Sequence, residues 1–150
     1  MEIFKGDTEI FEFAIAREIE SYEFYTALSE RMVDHEKQKM FTELAAEELE
    51  HKEKLELELM KLGKVTNTID VENMDKVEYE IEGDYVFDME YADILHLAIE
   101  KEDAAFRLYA SMSSKVDDQD SVDMLLALAE QEVKHKLRFE YEYESLLKKG

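Results

Sequence analysis

The chain repeats itself at an offset of 84 residues. Glu18 is followed 30 residues on by Glu48-x-x-His51, and Glu102 is followed 30 residues on by Glu132-x-x-His135. The correspondence extends to Ala14 and Ala98, Ile15 and Ile99, Tyr25 and Tyr109, Met40 and Met124, Leu44 and Leu128, Ala45 and Ala129, and Lys52 and Lys136. A duplicated supersecondary unit accounts for this with few assumptions, and it confines the fold to architectures built from two like halves. An internal twofold axis would bring two equivalent half-sites face to face.

Each half reads as two helices. With no proline, four glycines and abundant Glu, Leu, Ala and Lys, little in the 150 residues interrupts helix propagation. Apolar stripes at helical spacing run through Phe11, Ala14, Ile15, Tyr22, Tyr25, Leu28 and Met32, and through Met40, Phe41, Leu44, Ala45, Leu55, Leu59 and Leu62. The second half repeats them with Leu95, Ala98, Ile99, Phe106, Tyr109 and Met112, then Leu125, Leu128, Ala129, Phe139, Tyr143 and Leu146. Asp34 is placed to cap the second helix and Gly63 to end it. Helices are expected over about 8–33, 36–62, 89–113 and 119–148. From 64 to 88 the helical pattern lapses, and VEYEIEG hints at a strand. Short links give antiparallel hairpins and a long one can cross a bundle, so an all-α four-helix bundle with one crossover, forming a single domain, is expected.

The repeated glutamates interrupt these stripes at their centres. Glu18 lies among Phe11, Ala14, Ile15, Tyr22 and Tyr25, and Glu102 among Leu95, Ala98, Ile99, Phe106 and Tyr109. Glu48 has Phe41, Leu44, Ala45 and Leu55 around it, and Glu132 has Leu125, Leu128, Ala129 and Phe139. All four should point inward. His51 and His135 follow their glutamates by three residues, which places both groups on one helix face. Buried carboxylates are costly and repel one another, and two divalent ions would balance four of them. Oxygen and imidazole donors suit iron or manganese, with zinc as a substitute. His35 and His96 have no counterpart in the other half and are read as non-ligands.

Other chemistries are excluded. Without cysteine there is no disulfide, thiolate zinc site or iron–sulfur cluster within the sequence. A net charge of -21 would repel nucleic acid and anionic membranes. The start, MEIFKGDTEI, lacks a signal-peptide pattern and no apolar run approaches a membrane span, so a soluble cytoplasmic protein is expected.

The segments AIAREIESYEFY with LAAEELEH, and AIEKEDAAFRLY with LAEQEVKH, resemble the ferritin-like superfamily and specifically its rubrerythrin-like diiron domains, over about residues 8 to 147. The resemblance implies a ferritin-like bundle holding two iron ions. It makes Glu18 and Glu102 terminal ligands, Glu48 and Glu132 bridges between the metals, and His51 and His135 the ligands that complete each ion. Tyr25 and Tyr109 look like the tyrosines beside such centres, where the hydroxyl would bond a ligand carboxylate; plain core aromatics are the alternative. The implied activity is reduction of hydrogen peroxide, or O2, with electrons from an external donor such as a rubredoxin, in a protein expected to be a homodimer.

Two departures bear on that activity. Rubrerythrins proper carry a further glutamate where this chain has Ala105, and they usually carry a rubredoxin domain, which needs cysteine. Bacterioferritins share Glu-x-x-His on both helices, so ferroxidase activity or iron storage is the alternative, although the sequence ends at Gly150 without a fifth helix. A four-helix protein with no metal, or with zinc, is the third reading.

Overall fold

The computed structural model describes residues 6–63 and 90–149. Within them lie four helices: α1 (Asp7–Arg31), α2 (His35–Lys61), α3 (Tyr91–Ser113) and α4 (Gln119–Lys149). The described residues contain no strand, in accord with the all-α expectation. The connection expected over 64–88, with its possible strand, lies outside the described residues.

Local chemistry sets the helix ends. Met32 leaves α1 in an extended conformation, and Asp34 accepts the Glu36 N–H on its carboxylate at 2.9 Å, so two residues after the first helix stops the second is capped. Asp118 does the same for α4, accepting the Ser121 N–H at 3.1 Å and its hydroxyl at 3.3 Å. At the end of α2, Gly63 has φ 87° and donates its N–H to the Met60 carbonyl at 3.0 Å. That left-handed conformation is open to glycine at no steric cost.

The chain divides into two compact units, Met1–Phe87 and Asp88–Gly150. In the first, α1 packs along α2. Pairing runs from Ser29 with Gln38, through Tyr25 with Phe41, to Glu18 with His51, so the partner number rises as the first falls and the hairpin is antiparallel. Phe11, Ile15, Leu28, Phe41, Leu44 and Leu55 form its core. In the second, α3 packs along α4 with the same sense, from Asp103 with Lys136 to Tyr91 with Glu142. Its core includes Leu95, Ala98, Met112, Leu125, Leu128 and Phe139.

The buried face of α1 is wider than the stripe read from sequence. Ile10, Ile19 and Phe24 are buried, whereas Tyr22 and Met32 are half-buried. Phe24 packs edge-on against Tyr25 at 5.3 Å, which a single stripe of i, i+3 and i+4 positions does not capture. On α3 the matching Phe106 is half-buried as well. No helix among the described residues is long and apolar enough to cross a membrane.

Candidate metal centre

Each unit buries a carboxylate pair with an imidazole. In the first, α1 supplies Glu18 from mid-helix, and α2 supplies Glu48 and His51 one turn apart. His51 Nδ1 lies 3.6 Å from Glu18 Oε2 and 3.5 Å from Glu48 Oε1. In the second, α3 supplies Glu102 and α4 supplies Glu132 and His135. His135 Nδ1 lies 3.4 Å from Glu102 Oε2 and 3.8 Å from Glu132 Oε1. Within each triad the donor atoms all lie within 4.8 Å of one another.

Solvent is shut out of both triads. Glu48 and Glu132 are 0% exposed, and no other member of either exceeds 4%. The apolar neighbours one and two turns away account for this, since Leu44, Ala45 and Leu55 flank one and Leu125, Leu128 and Ala129 the other. All six residues singled out in the sequence are thus inward-facing, and each trio is brought together by its own hairpin.

The donor set fits a metal. Donors held at 2.0–2.2 Å from one ion and 100–120° apart about it are roughly 3.1–3.8 Å from each other, and the four imidazole–carboxylate separations of 3.4 to 3.8 Å fall in that range. They are too long for good hydrogen bonds between the same atoms. Two carboxylates and one imidazole per triad is an oxygen-rich, hard-to-borderline set that suits iron or manganese and admits zinc.

Tyr25 and Tyr109 are buried two turns along α1 and α3 from Glu18 and Glu102. The Tyr25 ring is stacked on Phe41 at 6.2 Å. His35 is exposed at the start of α2, and His96 is exposed on α3 beside Glu100 and Tyr143, so neither joins a triad.

Two features were not read from the sequence. Glu58 is buried on α2, with the Lys61 ammonium 3.8 Å away. Its signal was its place three residues after Leu55, on the buried stripe. The other is a bridge beside the second triad, where Lys136 Nζ donates to Asp103 Oδ1 at 3.0 Å. That hydrogen bond, helped by the charges of Arg107 and Lys136 and opposed by partial burial, holds the Asp103 carboxyl below the usual carboxylate range.

A family model described as rubrerythrin matches residues 9–143. No curated protein matches the sequence. A solved structure of a hypothetical protein from Pyrococcus furiosus is similar, with a TM-score of 0.73 and 22% identity, over 94% of this chain and 90% of that one. At that identity the likeness is one of fold.

Proposed function

Because the chain belongs to the rubrerythrin family, we propose that it is a dinuclear non-haem iron oxidoreductase that reduces hydrogen peroxide, or O2, with electrons from a separate donor protein. The observation that carries this reading is the duplicated, fully buried Glu, Glu-x-x-His triad. Four carboxylates from the two triads balance two divalent ions, whereas an ordinary helical core has no use for them. In this reading Glu18 and Glu102 would serve as terminal ligands, Glu48 and Glu132 as ligands shared by the two ions, and His51 and His135 would complete one ion each.

The chemistry that two iron ions supply when bound is a pair of one-electron oxidations, matching the two electrons and two protons that turn peroxide into two waters as its O–O bond breaks. The protein's own part is to hold six donors in fixed rotamers and to keep bulk water out. Tyr25 and Tyr109 hold ligand carboxylates through their hydroxyls. These 150 residues contain no cysteine for a rubredoxin-type iron site, and in this reading the reductant is a separate donor protein such as a rubredoxin. The protein works as a cytoplasmic homodimer.

Ala105 favours a second reading, in which the protein takes up and oxidises Fe(II) without peroxidase turnover, because rubrerythrins proper carry another glutamate there. Metal analysis of protein purified without added metal tests what the readings share. About two equivalents of iron per chain are expected, and less than about 0.2 of any transition metal would overturn both. Peroxide reduction then separates them: Glu48→Ala should lose about tenfold or more of a measurable turnover, whereas iron oxidation with no peroxide turnover in the parent protein selects the second.

A further inference from the structure

The two triads are near copies, but their surroundings are not. In the second unit, the residue after Glu102 and the residue after His135 are joined across the helices by Lys136 Nζ and Asp103 Oδ1 at 3.0 Å. The other oxygen of Asp103 takes the Arg107 Nε–H at 2.9 Å, so both oxygens are engaged. Asp103 and Lys136 are 27% and 30% exposed, at the rim of the buried triad. A bridge through Asp103 and Lys136 therefore ties α3 to α4 at the position next to the facing pair Glu102 and His135.

In the first unit that bridge is missing. Ile19 stands at the position that matches Asp103, and it is buried. Lys52, which matches Lys136, turns along its own helix to Glu56 at 3.3 Å. At these matching positions nothing joins α1 to α2, so the first triad lacks the particular restraint that Asp103 and Lys136 place on the helices carrying the second.

Donor groups held in place before an ion arrives bind it more tightly, because less ordering remains to be done on binding. We infer that the Asp103–Lys136 bridge is a positioning clamp for Glu102 and His135, and that the protein consequently holds its two metal ions with unequal affinity, the ion at Glu102 and His135 more tightly. The inference rests on the metal-binding reading above and concerns a pair of residues that are not themselves ligands.

Clamping and simple electrostatics differ in sign at Lys136. Removing a positive charge near a cation site should tighten binding if only charge matters, whereas removing half of a clamp should loosen it. Single-ion forms make this measurable: His51→Ala retains the second triad and His135→Ala the first. Co(II) is titrated into each metal-free protein and followed by its visible absorption and by calorimetry, with thermal unfolding as a check that each variant folds. The expected result is about tenfold tighter binding in His51→Ala than in His135→Ala. In the His51→Ala background, Asp103→Asn and Lys136→Gln should each weaken binding by about three- to tenfold, with neither changing His135→Ala by more than about twofold. Equal affinities in the two single-ion forms overturn the inference, as does tighter binding in Lys136→Gln. Should a histidine variant fail to fold, the same two substitutions in the parent chain are read instead, where only the tighter of two binding phases should move; loss of both phases equally, or of neither, overturns the inference. Absence of any Co(II) uptake by the parent protein would sink the metal reading itself, which is a different failure.

Discussion

Glu48 sits between Leu44 and Leu55 on the face of α2 that packs against α1, and no part of it reaches solvent. Without an ion, a carboxylate in such a place is a burden on the fold, because its hydration is lost and other acids lie close by. Glu48→Leu should therefore stabilise the chelator-treated protein by about 1–3 kcal/mol in urea unfolding, in the manner of buried ionic groups replaced by apolar ones. The same variant should lose most of the stabilisation that metal gives the parent. A loss of stability in the chelated variant would mean that Glu48 belongs to a satisfied polar network and is kept for structure. This is also why the ligand candidates were legible from residues alone: four acids embedded in apolar neighbours at helical spacing contradict their surroundings. The Asp103–Lys136 bridge was not legible, since two charged residues 33 apart face each other only once the register of α3 against α4 is known. Glu58 escaped notice for a related reason, because in a chain with 39 acidic residues a single buried one looks like the rest until its burial is measured.

The helices themselves rest on amphipathic periodicity and a few end signals. The stripes and the lack of proline fix where helices run, and Asp34 and Gly63 mark two of their ends. Where the sequence under-read an element, the buried face was wider than one stripe: Phe24 is buried edge-on to its neighbour Tyr25, whose ring stacks on Phe41. At the turn between α1 and α2, the Ser29 and Thr42 hydroxyls lie within hydrogen-bond reach of each other and of the Gln38 carbonyl, at 3.2 and 2.8 Å from it, so that one donates to the carbonyl while the other donates to its fellow hydroxyl. The capping carboxylates have measurable worth. Asp34→Ala and Asp118→Ala should each cost about 1 kcal/mol, the ordinary loss on removing a helix cap. Gly63→Ala should cost about as much for a different reason, a side chain forced into left-handed backbone, since an added Cβ there meets no other atom. Guanidinium unfolding of the three variants checks this, and a neutral Gly63→Ala would show that the end of α2 relaxes without strain.

At the scale of the whole chain, net charge and metal binding act on the same quantity. A charge of -21 over 150 residues works against compaction through self-repulsion, and any cation relieves it to some degree. Stabilisation by a metal is therefore weak evidence of a site unless diffuse screening is separated out. Raising salt from about 0.01 M to 0.15 M shortens the Debye length from about 30 Å to about 8 Å, which should raise the unfolding temperature of the chelated protein by several degrees. Beyond that point, further salt should add little. A transition ion that binds the buried triads should stabilise further at 0.15 M salt, by about 2.7 kcal/mol when free ion is at 100 times its dissociation constant. Magnesium at the same concentration should do far less, because it sheds its water reluctantly and has no use for imidazole. Thermal unfolding at fixed salt with magnesium, manganese or iron(II) under anaerobic conditions makes the comparison. Equal stabilisation by all three would assign the effect to the acidic surface and leave the buried glutamates without a metal to explain them.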